Sequence, residues 1–142
     1  MTSHTYLGFD YGAKRIGVAV GNTVSGSASA LDTVKVTSNK TDWEHISRLL
    51  AEWQPDALIV GLPIKMDRTD NPITADAKRF ANRLHGRYHL PVHLVDERLT
   101  SHMALSEIRD AGYNRRSRDL VDSYAAREIL QTFLNGLDGN DE

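Results

Sequence analysis

The chain has 142 residues, 40% hydrophobic and 25% charged, which fits one soluble globular domain (1–142) with a core of ordinary size. It has no apolar run that could span a bilayer and no leader-like start, so a cytoplasmic location and no membrane partner are expected, and the absence of cysteine excludes disulfides, thiolate metal sites and cysteine nucleophiles. The net charge is −2, yet the stretch from Lys78 to Arg118 holds nine basic residues against four acids, either a solvated helix face or a surface suited to a polyanion.

The first strand is expected over 6–10, ending in Asp10. A turn with Gly12 leads to a second strand over 16–20, close enough for an antiparallel hairpin. Gly and Ser in GNTVSGSAS mark another turn, and a third strand follows over 28–36. The period then changes. TDWEHISRLLAEW places Thr41 and Glu44 as a capping box, and Trp43, Ile46, Leu49, Leu50 and Trp53 recur at helical spacing until Pro55. The continuous apolar run over 57–62 predicts a strand covered on both faces. A polar loop, KMDRTDNP, precedes a basic helix over 74–87 with Ala77, Phe80, Ala81 and Leu84 inward. PVHLV is a fifth strand ending in DER. Thr100 can cap a helix containing Met103, Leu105 and Ile108 that Gly112 closes. YNRRSRD is expected to be a basic loop, the last helix to span 120–135, and the acidic tail 136–142 to be flexible. Local strand pairing followed by helical crossovers indicates a mixed α/β sheet. The layout resembles the RNase H-like fold, which implies five strands in the order 3-2-1-4-5 with helices on both faces.

A carboxylate that ends a buried strand needs a cation or a set of donors. Asp10 is one such position, Asp96 and Glu97 end the fifth strand, and Asp122 lies early in the last helix. Positions 122, 125, 126, 129 and 133 share a helix face, here Asp122, Ala125, Ala126, Ile129 and Phe133, so Asp122 is aligned with the expected packing stripe. Converging carboxylates repel unless cations lie between them, and all-oxygen sites select Mg²⁺ or Mn²⁺. Two such ions suit phosphodiester cleavage. The plainer alternatives are a Lys14 or Arg15 partner for Asp10, pairing of Asp96 with Arg98, and a macrodipole role for Asp122.

FDYGAKRIGVAVG, IVGLP, DERLTS and VDSYAAREIL together resemble the YqgF/RuvX family of Holliday junction resolvases, also described as nucleases that mature the 5′ end of pre-16S ribosomal RNA. The resemblance implies a RuvC-like, RNase H-like fold and a Mg²⁺- or Mn²⁺-dependent endonuclease of the two-metal type. It implies Asp10, Glu97 and Asp122 as catalytic metal ligands, with Asp96 a further candidate. Where such nucleases carry a second acid at the end of strand 4, this chain has Gly61, Leu62 and Pro63, so strand 5 must supply it from about 9–10 Å away. Arg68 stands where the family commonly has glycine.

Arg98 and the run Arg115, Arg116 and Arg118 are candidates for holding the nucleic-acid backbone, with Lys65 and Arg68 weaker ones. Gly12 and Gly17 are the loop glycines that keep the approach to Asp10 open. The six histidines, His85 and His89 included, suggest structural or solvated roles, and no P-loop pattern is present. Besides a nuclease on structured RNA or branched DNA, nucleotide binding and RNA binding without cleavage fit the pattern. A homodimer is compatible with the junction reading.

Overall fold

The computed structural model describes residues 4–12, 14–38, 40–62, 72–96 and 115–140, with side chains in the last two stretches described at 74–95 and 123–137. The elements are β1 (Thr5–Tyr11), β2 (Arg15–Asn22), β3 (Ser27–Thr37), β4 (Lys40–Thr41), α1 (Trp43–Trp53), β5 (Ala57–Leu62), α2 (Pro72–Tyr88), β6 (Val92–Asp96) and α3 (Arg115–Asn140). They build one six-stranded sheet in the order β4-β3-β2-β1-β5-β6. β1 pairs antiparallel with β2 and parallel with β5, which pairs parallel with β6. This is the expected RNase H-like order with β1 central, widened by a sixth, two-residue strand. β4 arises because Ser38 takes a left-handed conformation (φ 50°) and folds Lys40 and Thr41 back onto the end of β3.

Three boundaries differ from expectation. The N-cap of α1 is Asp42, not Thr41: its carboxylate accepts from the His45 amide at 3.2 Å, while Thr41 belongs to β4. Trp53, read as part of the apolar stripe, ends α1 and is 37% exposed. Of the segment read as a basic loop, residues 115–119 belong to the start of α3, since nothing from Arg115 to Leu120 breaks a helix and arginine favours one. α3 also continues to Asn140, through most of the tail expected to be flexible. The helix expected after Thr100 lies outside the described residues.

Strand alternation sorts the sheet into two unlike faces. One carries Leu7, Phe9, Ile16, Val18, Leu58 and Val60 against Ile46 and Leu49 of α1 and Phe80, Ala81 and Leu84 of α2. The other is built from Tyr6, Ala19, Ala28, Ala57 and Ile59 and receives Ala126, Ile129, Leu130 and Leu134 of α3. Small residues on that face let α3 lie close. A Cβ at Gly8 would sit 2.9 Å from Leu130 Cβ, and one at Gly21 would sit 3.0 Å from both Leu130 and Leu134.

Polar side chains then fix α3 along its axis. Gln131 Oε1 accepts from the Ala28 amide at 2.9 Å, and its Nε2 donates to the Gly26 carbonyl at 2.9 Å. Arg127 Nε donates to the Ala28 carbonyl at 3.2 Å. No helix among the described residues is long and apolar enough to cross a membrane.

Valine is ordinarily the better strand residue, so Gly8→Val would stabilise a bare β1. Against Leu130 it should instead destabilise by about 1–3 kcal/mol in urea unfolding. An unchanged or raised midpoint would contradict the close seat of α3.

Candidate active site

Asp10 is the penultimate residue of β1 and is half-buried. It shares the face of Tyr6 and Gly8, which is the α3 face. Its cross-strand neighbours are Gly17 on β2 and Gly61 on β5. A glycine therefore stands on each side of the carboxylate, and neither neighbouring strand projects a side chain beside it. Gly61, read from sequence as a missing acid, thus clears one flank. Gly12 acts on the hairpin instead. A Cβ there would lie 2.6 Å from the Arg15 carbonyl oxygen, so only glycine closes this turn. The Val36 amide donates to the Lys14 carbonyl at 3.0 Å and ties the turn to β3.

α3 descends β1 in the opposite direction. Phe133 meets Tyr6 edge-on at 5.3 Å, and Leu130 and the Ala126 carbonyl lie over Gly8. Moving from Ala126 to position 122 advances the helix by about 6 Å, and moving from Gly8 to Asp10 advances the strand by about 6.6–6.8 Å. The backbone of Asp122 is thereby carried toward the level of Asp10; its side chain lies outside the described ones. The expected stripe is rotated. Ala126 and Ile129 are buried as read, but Ala125 and Phe133 are only half-buried, and Ser123, Leu130 and Leu134 are buried instead. The hollows at Gly8 and Gly21 set this rotation by receiving Leu130 and Leu134.

β6 ends at Asp96, whose backbone pairs with Leu62, one position beyond the pairing of Gly61 with Val95. Asp96 thus ends a strand two spacings from β1, about 9–10 Å away, at the same carboxyl edge of the parallel strands. Glu97 and Arg98, and Lys65 and Arg68, lie outside the described residues. Arg115, Arg116 and Arg118 are on α3 rather than on a loop, and their side chains are likewise outside. Among the described residues, no group of three His, Asp or Glu side chains could hold a metal. The histidines serve elsewhere: His45 Nε2 meets Asp32 at 2.8 Å, and His85 Nδ1 lies 3.0 Å from the Leu90 carbonyl oxygen at the end of α2.

Sequence reading missed Gly8, Gly61 and Gln131. The one advance signal was glycine at the alternate position between Tyr6 and Asp10, where a strand would normally carry a side chain.

A three-strand meander continued by two parallel strands, with a carboxylate ending the central strand and a helix across that face, defines an RNase H-like α/β protein. The solved structure of Thermus thermophilus RuvC in complex with a Holliday junction substrate superposes over 96% of both chains with a TM-score of 0.57 at 16% identity, a likeness of fold alone. A second T. thermophilus RuvC structure gives a TM-score of 0.50 at 14% identity, over 95% of this chain and 96% of that one. The chain belongs to the RuvX family, described as Holliday junction resolvase, whose model matches residues 4–136. A Yersinia enterocolitica protein is 44% identical over 136 residues, 95% of this chain and 97% of that one. An Escherichia coli O7:K1 protein is 48% identical over 133 residues, 93% and 96% of the two chains. Each bears the name "Putative pre-16S rRNA nuclease".

Tyr11, the residue after Asp10, belongs to the opposite face, against Phe80. Burial pushes its phenol above the usual value of 10.0 and Asp76 adds to this, while Arg83 and Arg79 pull it down. A raised folded pKa means that stability held below pH 10 is lost as pH climbs through the folded value. In an alkaline absorbance titration, Arg79→Ala/Arg83→Ala should move the Tyr11 transition, assigned by its loss in Tyr11→Phe, further up. A downward move would contradict this arrangement of charges.

Proposed function

We propose that this chain is a metal-dependent endonuclease that hydrolyses phosphodiester bonds in structured nucleic acid, with the 5′ end of pre-16S ribosomal RNA as substrate. The observation that carries the reading is Asp10 at the glycine-flanked end of β1, with α3 seated so that Asp122 approaches its level. The relatives named as pre-16S rRNA nucleases favour RNA. Residues 1–142 act as one nuclease domain in the cytoplasm.

Asp10, Glu97 and Asp122 hold Mg²⁺ or Mn²⁺, with Asp96 an adjacent donor. Glu97 is taken as the ligand of the pair because DERLTS resembles the family motif in which this acid holds the metal. Carboxylates that converge repel one another and have the all-oxygen chemistry of a hard-cation site, and the backbones of Asp10, Asp96 and Asp122 belong to β1, β6 and α3. Divalent cations held by these acids would supply charge stabilisation for phosphodiester hydrolysis. The chain's own part is positional. β1 holds Asp10 in a rigid sheet, Gly17 and Gly61 leave room beside it, and Gly12 keeps the neighbouring hairpin tight. Arg98, Arg115, Arg116, Arg118, Lys65 and Arg68 take backbone phosphates and orient the strand without reading bases.

A second reading rests on the family description and the RuvC-like fold: resolution of branched DNA by a homodimer. Purified protein is tested on pre-16S RNA and on a four-way DNA junction, with Mn²⁺ or with chelator. Cleavage should need the metal, and Asp10→Ala should reduce it to background while the circular dichroism melt stays cooperative. Cleavage by Asp10→Ala at the wild-type rate would overturn the assignment, and the substrate that is cut separates the two readings.

A further inference from the structure

The cations of α2 have no role in that reading. Lys78, Arg79, Arg83 and Arg87 are exposed on this helix, and Asp76 is its single acid, a net charge of +3 in a chain whose total is −2. Arg79, Arg83 and Arg87 are spaced by four and so form one line along the helix. At its N-terminal part the line opens into a cavity of about 310 Å³ lined by Tyr11, Thr41, Asp76, Arg79, Phe80 and Arg83. The cavity borders the end of β1, one residue from Asp10 but on the other face of the sheet. Its floor is aromatic and already packed: Phe80 lies 5.2 Å from the Tyr11 ring and 5.6 Å from Trp43, which stacks on it. Arg87 sits over Trp43 at 4.3 Å and continues the line.

We propose that this groove binds the sugar-phosphate backbone of the nucleic acid beside the cleavage point, with Arg79 and Arg83 holding phosphates. The inference rests on the nuclease reading and extends it to a surface on the opposite face from the acids.

The chemistry favours a phosphate over other occupants. Arg79 and Arg83, with Tyr11 and Thr41, line one recess, and their guanidinium and hydroxyl groups are of the kinds that suit phosphate oxygens. Among the described residues, the apolar part of the lining is the Tyr11 and Phe80 rings, which are packed against each other and offer an apolar ligand little. Asp76 takes one bond from Arg79 at 3.2 Å, but both side chains are well exposed, so the pair is weak and yields to a phosphate. A merely solvated helix face would not place its arginines across a recess from the end of the central strand. Contacts to the backbone would fix direction rather than sequence.

The test is fluorescence anisotropy of full-length protein in chelator, so that nothing is cut, with labelled pre-16S RNA and a labelled four-way junction. Arg79→Ala/Arg83→Ala is compared with Arg48→Ala, an exposed cation on α1 that does not line the groove. Losing two phosphate contacts lowers the salt slope by about 1.4–1.8, so affinity should fall roughly tenfold less between 50 and 200 mM salt than for wild type. At 50 mM salt the double variant should bind more weakly, and Arg48→Ala should match wild type. Arg79→Lys/Arg83→Lys keeps the charge and should keep the slope, which separates phosphate binding from damage to α2. Wild-type affinity and slope in the alanine double variant, in a protein that cuts normally, would overturn the groove and leave the nuclease reading standing. A wild type that neither binds nor cuts either substrate would overturn both.

Discussion

The seat of α3 on β1 and β2 is the constraint on which the rest depends. A helix can approach a strand this closely only where the strand has no side chain to offer, and Gly8 and Gly21 supply those positions. The alanines of the same face, Ala19, Ala28 and Ala57, extend the shallow bed. The opposite face shows the contrast: Leu7, Phe9, Ile16, Val18 and Val60 give α1 and α2 a deep side-chain layer to pack on. Dispersion and burial act on both faces, but only the α3 face trades side-chain volume for proximity. That proximity brings the start of the helix toward the end of the strand carrying Asp10.

Proximity alone leaves a helix free to slide by a turn. Here Gln131 and Arg127 remove that freedom, because the amide and carbonyl of Ala28 and the carbonyl of Gly26 are fixed points of the β2–β3 hairpin. Each bond contributes modestly to stability, about 0.5–1.5 kcal/mol. Their larger effect is geometric: a slip of one turn, about 5.4 Å, would leave the Asp122 position out of step with Asp10.

Much of this order was legible in the chain. The apolar runs of β1 and β5, the helical spacings and the crossover helices led to the order of elements and a mixed sheet, since each is a local signal, while the strand order came from the likeness of that layout to the RNase H-like fold. The place of Asp10 near the end of a central strand was legible from the apolar run that leads to it. What escaped depends on contacts distant in sequence. Gly61 looked like an omission until strand pairing put it beside Asp10. The rotation of the α3 stripe could not be read from its own periodicity, because glycines on β1 and β2 decide which leucines go deepest. β4 and the Asp42 cap turn on the left-handed Ser38 and on pairing with β3. The run Arg115–Arg118 was assigned to a loop from its polarity, although arginine is a good helix former and no Pro or Gly interrupts it.

The close seat of α3 also bears on the order of assembly. The β1–β3 meander uses short-range pairings and can form early, but its small-residue face is closed by residues far along the chain, such as Gln131 reaching Ala28 across 103 positions. Such contacts cost most in loop closure and form late. Closure of the α3 face is therefore the late step of folding, and the end of β1 that carries Asp10 gains its helical cover only when the last helix docks.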